Sequence, residues 1–296
     1  MKSNSLLRDT DHQRRGKTME GKTLVEKWYD AHTEVEEHRL DEGRLELEVT
    51  KRTIDSCLSM LGLYKANILV VGGGPGRYAI TLAKQGHQVT LSDLSEKSLN
   101  IARRNAEKEA VQLNAIIHTN ALGISQHALL KAAHGSFDIM LCLGPLYHLI
   151  APAERASVIQ NCILLAKSGG YILLAYVTIY AHLRDLASRE PSRFAREWQF
   201  YSQYLHSGAY TRNLATTSFH VQPADLSKEF AAFREQVDVE KILSCEGFLG
   251  SGGAKGFAAL DEAEMKWWVD VVMLSADRVE TLNSADHLLV VLRKGT

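Results

Sequence analysis

Residues 68–77 read Ile-Leu-Val-Val-Gly-Gly-Gly-Pro-Gly-Arg, a run of apolar residues that breaks into glycines. Four apolar residues in succession suit a strand covered on both faces, as in a parallel sheet. Glycines at 72, 74 and 76 let the backbone turn tightly and approach a ligand that any side chain would hold off. From Tyr78 to Lys84 the pattern becomes helical, so the loop meets a helix N-terminus with its unpaired N–H groups. Val89–Asp93 reads as a second strand with a carboxylate at its carboxyl end. A carboxylate there can accept both hydroxyls of a ribose. The unit is expected to hold an adenosine-like cofactor.

The glycines fit two registers. Gly74-Pro75-Gly76-Arg77-Tyr78-Ala79 matches the G-x-G-x-x-G/A dinucleotide fingerprint, with an acid downstream. Gly72-Gly73-Gly74-Pro75-Gly76 matches the G-x-G-x-G loop of S-adenosylmethionine (SAM) enzymes. Segments further along discriminate between them. Phe137-Asp138 opens a fourth apolar strand, and Leu165-Ala166-Lys167-Ser168-Gly169-Gly170 precedes a fifth, Tyr171–Val177. Across about residues 65–177 the order and spacing of these landmarks resemble the class I SAM-dependent methyltransferase family. Gly144-Pro145-Leu146-Tyr147-His148-Leu149 is similar to the GPLYHL segment of a small-molecule subgroup. His287–Lys294 resembles the antiparallel last strand of that fold.

The resemblance implies an α/β, Rossmann-like, doubly wound sheet of seven mostly parallel strands. S-adenosyl-L-methionine is the implied cofactor. Its contacts are expected at Gly72, Gly73, Gly74 and Gly76, at Asp93 and Leu94, at Asn120 and Ala121, and at Leu143. Two departures stand out. Val70 occupies the strand-one position where the family commonly carries an acid, and Asn120 stands where an aspartate often precedes the adenine contact.

Two further regions are expected to flank the 63–177 core. Residues 20–62 read as a helical cap, in which Tyr29 resembles a tyrosine that folds over the cofactor. Residues 178–234, rich in aromatics, read as a lid over the carboxyl ends of the strands, where α/β sheets bind ligands. There Glu197, Trp198 and Tyr201 are expected on one helix face. Residues 235–296 would complete the sheet, with Trp267 and Trp268 as packing residues on a last helix. The polar stretch 1–19 reads as a disordered tail.

The 296 residues are 45% hydrophobic with net charge −1, so no overall basic field draws the chain to nucleic acid. The segment 143–147 also lacks the polar first position and second proline of the [D/N]-P-P-[Y/F] motif that serves base amino groups. A small-molecule substrate is expected, with no nucleic-acid or membrane partner. Cys57, Cys142, Cys162 and Cys245 are far apart and form no C-x-x-C pair, which points to reduced thiols, a cytoplasmic setting and no metal site.

The activated methyl of a sulfonium mainly needs a nucleophile held in line, with a base only where the acceptor carries a proton. His148 is the first candidate base because its unperturbed pKa lies near neutrality. Tyr147 beside it is placed to hydrogen-bond the acceptor. His220 is a second candidate base, and Glu246 a candidate counter-ion for a cationic substrate. Two other readings remain open at this stage: an NAD(P)-dependent oxidoreductase using the second glycine register, and a catalytically silent SAM-binding regulatory protein.

Overall fold

The structure, a computed structural model, describes residues 23–33, 37, 43–211, 217–250 and 255–296. The expected 1–19 tail lies outside these residues, as does part of the expected 20–62 cap. Seven strands form one sheet: β1 (Asn67–Val71), β2 (Gln88–Asp93), β3 (Ala115–His118), β4 (Phe137–Cys142), β5 (Ala166–Val177), β6 (Val237–Ser244) and β7 (His287–Lys294). Their order is β3-β2-β1-β4-β5-β7-β6. β7 runs antiparallel to both neighbours while the other pairs run parallel. This is the doubly wound, Rossmann-like sheet expected.

The unbroken apolar runs follow from burial on two faces. Alternate strand residues Leu69, Val71, Met140, Cys142, Ile172 and Leu174 face one core, completed by Val158, Ile159 and Cys162 of the helix Pro152–Leu165. Their neighbours Ile68, Val70, Ile139, Leu141 and Leu173 face the other core. That face is covered by helices α2 (Arg44–Leu61), α3 (Arg77–Lys84) and α4 (Glu96–Lys108). The N-terminal region therefore divides. Through Ile54, Cys57 and Leu58, α2 belongs to the sheet core, while α1 (Leu24–Ala31) and Glu37 reach the ligand edge.

The landmarks 137–138 and 165–170 brace the opposite edge of the sheet. Asp138 Oδ2 accepts from the Asn67 backbone N–H at 2.7 Å, and Lys167 Nζ donates to Asp138 Oδ1 at 2.6 Å. β5 begins at Ala166 rather than Tyr171, because Ala166 already pairs with Phe137 ahead of an irregularity in register. All four cysteines are buried thiols. Among the described residues, no helix is long and apolar enough to cross a membrane.

Candidate functional site

β1 has β2 on one side and β4 on the other, so the chain reverses its winding between β1 and β4. In open α/β sheets, the crevice beyond the carboxyl ends at such a reversal is where ligands bind. A cavity of about 350 Å³ lies there. The loop after β1, the end of β2, the turn after β3, the turn after β4 and one face of α1 all contribute to it.

Gly72, Gly73 and Gly74 line the cavity, as do Asp93 and Leu94, Asn120 and Ala121, and Leu143. At Gly74, φ is +53° and an added Cβ would meet no atom within 4 Å, so the backbone here faces open space. Gly74 N–H donates to Asp93 Oδ2 and Ser95 N–H to Oδ1, each at 2.8 Å. These two bonds fix the plane of the carboxylate while leaving lone pairs for hydroxyl donors. Burial pushes the Asp93 carboxyl above its ordinary range, and the hydrogen bonds from Ser95 and Gly74 oppose that. Asn120 Oδ1 accepts from Leu122 N–H at 2.9 Å and caps the 3-10 turn Ala121–Gln126.

Gly76 departs from expectation. It does not line the cavity. It precedes α3 with φ +88°, and a Cβ would come within 3.1 Å of the Ala102 Cβ. Its role is the close approach of α3 to α4.

Beyond β4, the 3-10 turn Pro145–His148 brings Tyr147 and His148 to the cavity, and α1 brings Tyr29. The Tyr29 hydroxyl lies 2.7 Å from His148 Nε2, with the rings edge-on at 5.3 Å. His148 Nδ1 is buried with no hydrogen-bond partner. Burial lowers the pKa of His148 to about 4, an effect the neighbouring Thr217 backbone only partly offsets. The imidazole is therefore neutral at pH 7. A neutral ring always offers one nitrogen lone pair.

Other candidates fall outside the cavity. His220 Nδ1 bonds the Tyr204 hydroxyl at 2.7 Å, and burial, reinforced by neighbouring histidines, lowers its pKa to about 3. Glu246 is buried and braces the start of β7: its carboxylate accepts from Asp286 N–H at 3.2 Å and His287 N–H at 3.0 Å, and bonds His287 Nδ1 at 2.5 Å. It is a structural acid, not a substrate counter-ion. None of Glu197, Trp198 and Tyr201 lines the cavity: Tyr201 is buried in the inserted region's own core, Trp198 is 56% exposed, and both pack against Phe194. Of the described residues in 178–234, Thr217 alone lines the cavity. Trp267 is also not core; it is 70% exposed.

Glu26, which no cofactor motif singles out, also lines the cavity. Its local signal is the start of α1: Thr23-Leu24-Val25-Glu26 is a capping pattern, and Thr23 Oγ1 accepts from Glu26 N–H at 3.1 Å.

The fold and cavity define a Rossmann-like α/β domain with a ligand crevice beyond the carboxyl ends of its strands. Residues 68–170 match the family model described as a methyltransferase domain. The chain is 32% identical over 155 residues to the ubiquinone biosynthesis O-methyltransferase of Acinetobacter baylyi, covering 52% of this chain and 58% of that one. With the enzyme of the same name from Pectobacterium carotovorum it shares 29% over 170 residues, covering 57% and 63%. The chain thus spans little more than half the length of these curated relatives. Among solved structures, 1,6-didemethyltoxoflavin-N1-methyltransferase from Burkholderia thailandensis superposes with a TM-score of 0.56 at 12% identity, covering 92% of this chain and 88% of that one. Magnesium protoporphyrin IX methyltransferase from Synechocystis PCC 6803 gives 0.56 at 14%, covering 92% and 99%. At such identities the likeness is one of fold.

Proposed function

We propose that the chain is a SAM-dependent methyltransferase acting on a small-molecule acceptor. The observation that carries this reading is convergence: the glycine loop, the braced Asp93 carboxylate and the Tyr29–His148 pair all line one cavity. The chain's own residues fit the cofactor. Gly74 leaves space where a side chain would intrude, Asp93 has acceptor capacity for ribose hydroxyls, and Asn120 and Ala121 border the region expected for adenine. The relatives are O-methyltransferases of ubiquinone biosynthesis, and the structural neighbours are methyltransferases of 1,6-didemethyltoxoflavin and of magnesium protoporphyrin IX, which supports the same class.

Bound there, the cofactor supplies a methyl group already activated by its sulfonium. The protein's contribution is to position the acceptor and remove its proton. In this reading Tyr29 donates its hydroxyl proton to His148 Nε2 as its oxygen takes the proton of the acceptor, leaving an imidazolium and an uncharged tyrosine. Tyr147, beside His148 with ring centroids 4.8 Å apart, orients the acceptor.

Calorimetric titration with S-adenosylhomocysteine and with NAD tests the cofactor assignment. Binding of the first and not the second is expected, and Asp93→Ala should weaken it more than about tenfold, since hydrogen bonds to a charged group contribute about 1.5–3 kcal/mol. Failure of the wild-type chain to bind S-adenosylhomocysteine would overturn the reading; NAD binding in its place would favour the oxidoreductase register.

A further inference from the structure

The helix Glu262–Met273 is apolar on two opposite sides. Met265, Val269 and Val272 turn inward and share a core with Phe257 and with Leu45 and Val49 of α2. At about 100° per residue, Ala263, Trp267, Val271 and Leu274 fall on the other side. All four are exposed: Trp267 to 70%, Val271 to 44%, and Leu274, just past the last turn, to 75%. Apolar residues exposed singly are ordinary, but a helix apolar on both sides is normally covered on both.

Charges border this outer stripe. Along one flank Lys266 Nζ donates to Asp270 Oδ2 at 2.6 Å and lies 5.1 Å from the Trp267 ring centroid. Asp270 Oδ1 also accepts from Arg52 Nη1 of α2 at 2.8 Å. A stripe with this order of residues is complementary to itself. Two such helices, antiparallel about a two-fold axis near Trp268 and Val269, set Trp267 of one copy against Val271 of the other and Leu274 against Ala263, large against small. The same flank of both helices then meets in reversed order, so Lys266 of each copy comes beside Asp270 of the other.

The area is of the right size. Large apolar side chains offer about 150–250 Å² each when open, which leaves about 400 Å² on this stripe. A standard interface takes about 800 Å² from each partner, about 65% of it apolar in homodimers, so the stripe supplies most of the apolar part.

We propose that the outer face of the helix Glu262–Met273 is an isologous interface through which two copies of this chain associate. No residue of that helix lines the cavity, so each copy keeps its own site.

Sedimentation velocity on the full chain at about 1–200 μM, a range that brackets micromolar association, tests this. Wild type is expected to pass from monomer to dimer within it. Trp267→Ser should raise the dissociation constant at least about 30-fold, the usual loss at a tryptophan anchor, and should leave the monomer's urea midpoint in place because the ring is exposed. Lys266→Glu and Asp270→Lys each place like charges together across the axis and should each weaken self-association about tenfold. Mixed in equal amounts, these two variants regain opposite charges on that flank and should form a heterodimer that approaches wild-type affinity. A wild type that stays monomeric throughout, a dimer indifferent to Trp267→Ser, or a mixture no tighter than its components overturns the proposal. A monomer that instead floats with phosphatidylcholine vesicles, and loses this with Trp267→Ser, also overturns it and gives the stripe to a lipid surface.

Discussion

On the reading proposed above, the cost of burying a charge at His148 sets the pH range in which it can serve as a base. An exposed imidazole titrates near 6.5, whereas burial here holds the ring neutral down to about pH 4. A base acts in its deprotonated form, so its contribution is lost as pH falls through the folded-state pKa and is complete above it. The acid limb of kcat/KM should therefore lie near pH 4, with no inflection near 6.5 from this residue. His148→Asn should lower kcat by about 10²- to 10⁴-fold, the usual worth of general acid–base catalysis, while leaving S-adenosylhomocysteine affinity within about threefold. Tyr29→Phe keeps the ring but removes the hydroxyl bonded to Nε2, so it should approach the same loss. A wild-type limb near 6.5, or a His148→Asn variant of near-normal rate, would show that the proton leaves by another route. The sequence identified His148 and its place after β4, but not its protonation state, which depends on burial beneath residues over a hundred positions away.

Between elements, Arg155 ties the cavity wall to the inserted region. It sits in the first turns of the helix Pro152–Leu165 and is 2% exposed. Its Nε and Nη2 donate to the two oxygens of Glu229 at 2.7 and 2.8 Å, and Nη1 donates to the Leu149 and Ile150 carbonyls at 2.9 and 2.8 Å. The guanidinium also lies 3.6 Å from the Phe219 ring centroid. One side chain thus joins the loop after His148 to the short strand Ser218–Phe219 and the 3-10 segment Pro223–Phe233 of the inserted region. Arg155→Met would leave Glu229 partly buried without its cation, and removing one partner of such a pair costs about 3–5 kcal/mol. Arg155→Lys keeps the charge but cannot present the planar fork, so its loss should be smaller but clear. Urea midpoints measured at constant m-value check both; a shift equal to that of an exposed ion pair, about 0–1 kcal/mol, would deny the clamp its role. Nothing local marks Arg155, because its carboxylate lies 74 positions away and a lone arginine on a helix reads as a solvated residue. Trp267 shows the opposite case: Trp268 packs on Phe257 with ring centroids 4.9 Å apart, while Trp267 is left 70% exposed. On the helix Glu262–Met273 the inward stripe is Met265, Val269 and Val272, at spacings of four and three, and adjacent tryptophans cannot both join it.

Across the whole molecule, the parts legible in advance are those whose signal is local and repeated. β1, β2, β4 and β5 show as apolar runs because both sheet faces are covered, and the glycine loop and Asp93 show because close approach to a ligand demands particular residue types. The remainder of the site is assembled by tertiary contacts, α1 above all. An eight-residue helix is marginal in water by itself, so α1 depends on its neighbours. It is held by the Tyr29–His148 bond, by the Ser95 hydroxyl donating to Asp30 Oδ1 at 2.6 Å, and by Lys97 Nζ donating to the Asp30 carbonyl at 3.0 Å. A short helix at the rim of the cavity, with most of its residues partly open to solvent, belongs among the segments that open locally at low free energy. If it also forms part of the cofactor site, opening must expel the ligand, and the ligand must slow opening. At a free concentration of about 100 times Kd the linkage is about 2.7 kcal/mol, so amide exchange over 24–31 should slow about 100-fold. The distant helix Glu262–Met273 contributes no residue to the cavity and serves as the internal control. Equal exchange of α1 with and without S-adenosylhomocysteine would mean that the helix covers the cavity without belonging to it.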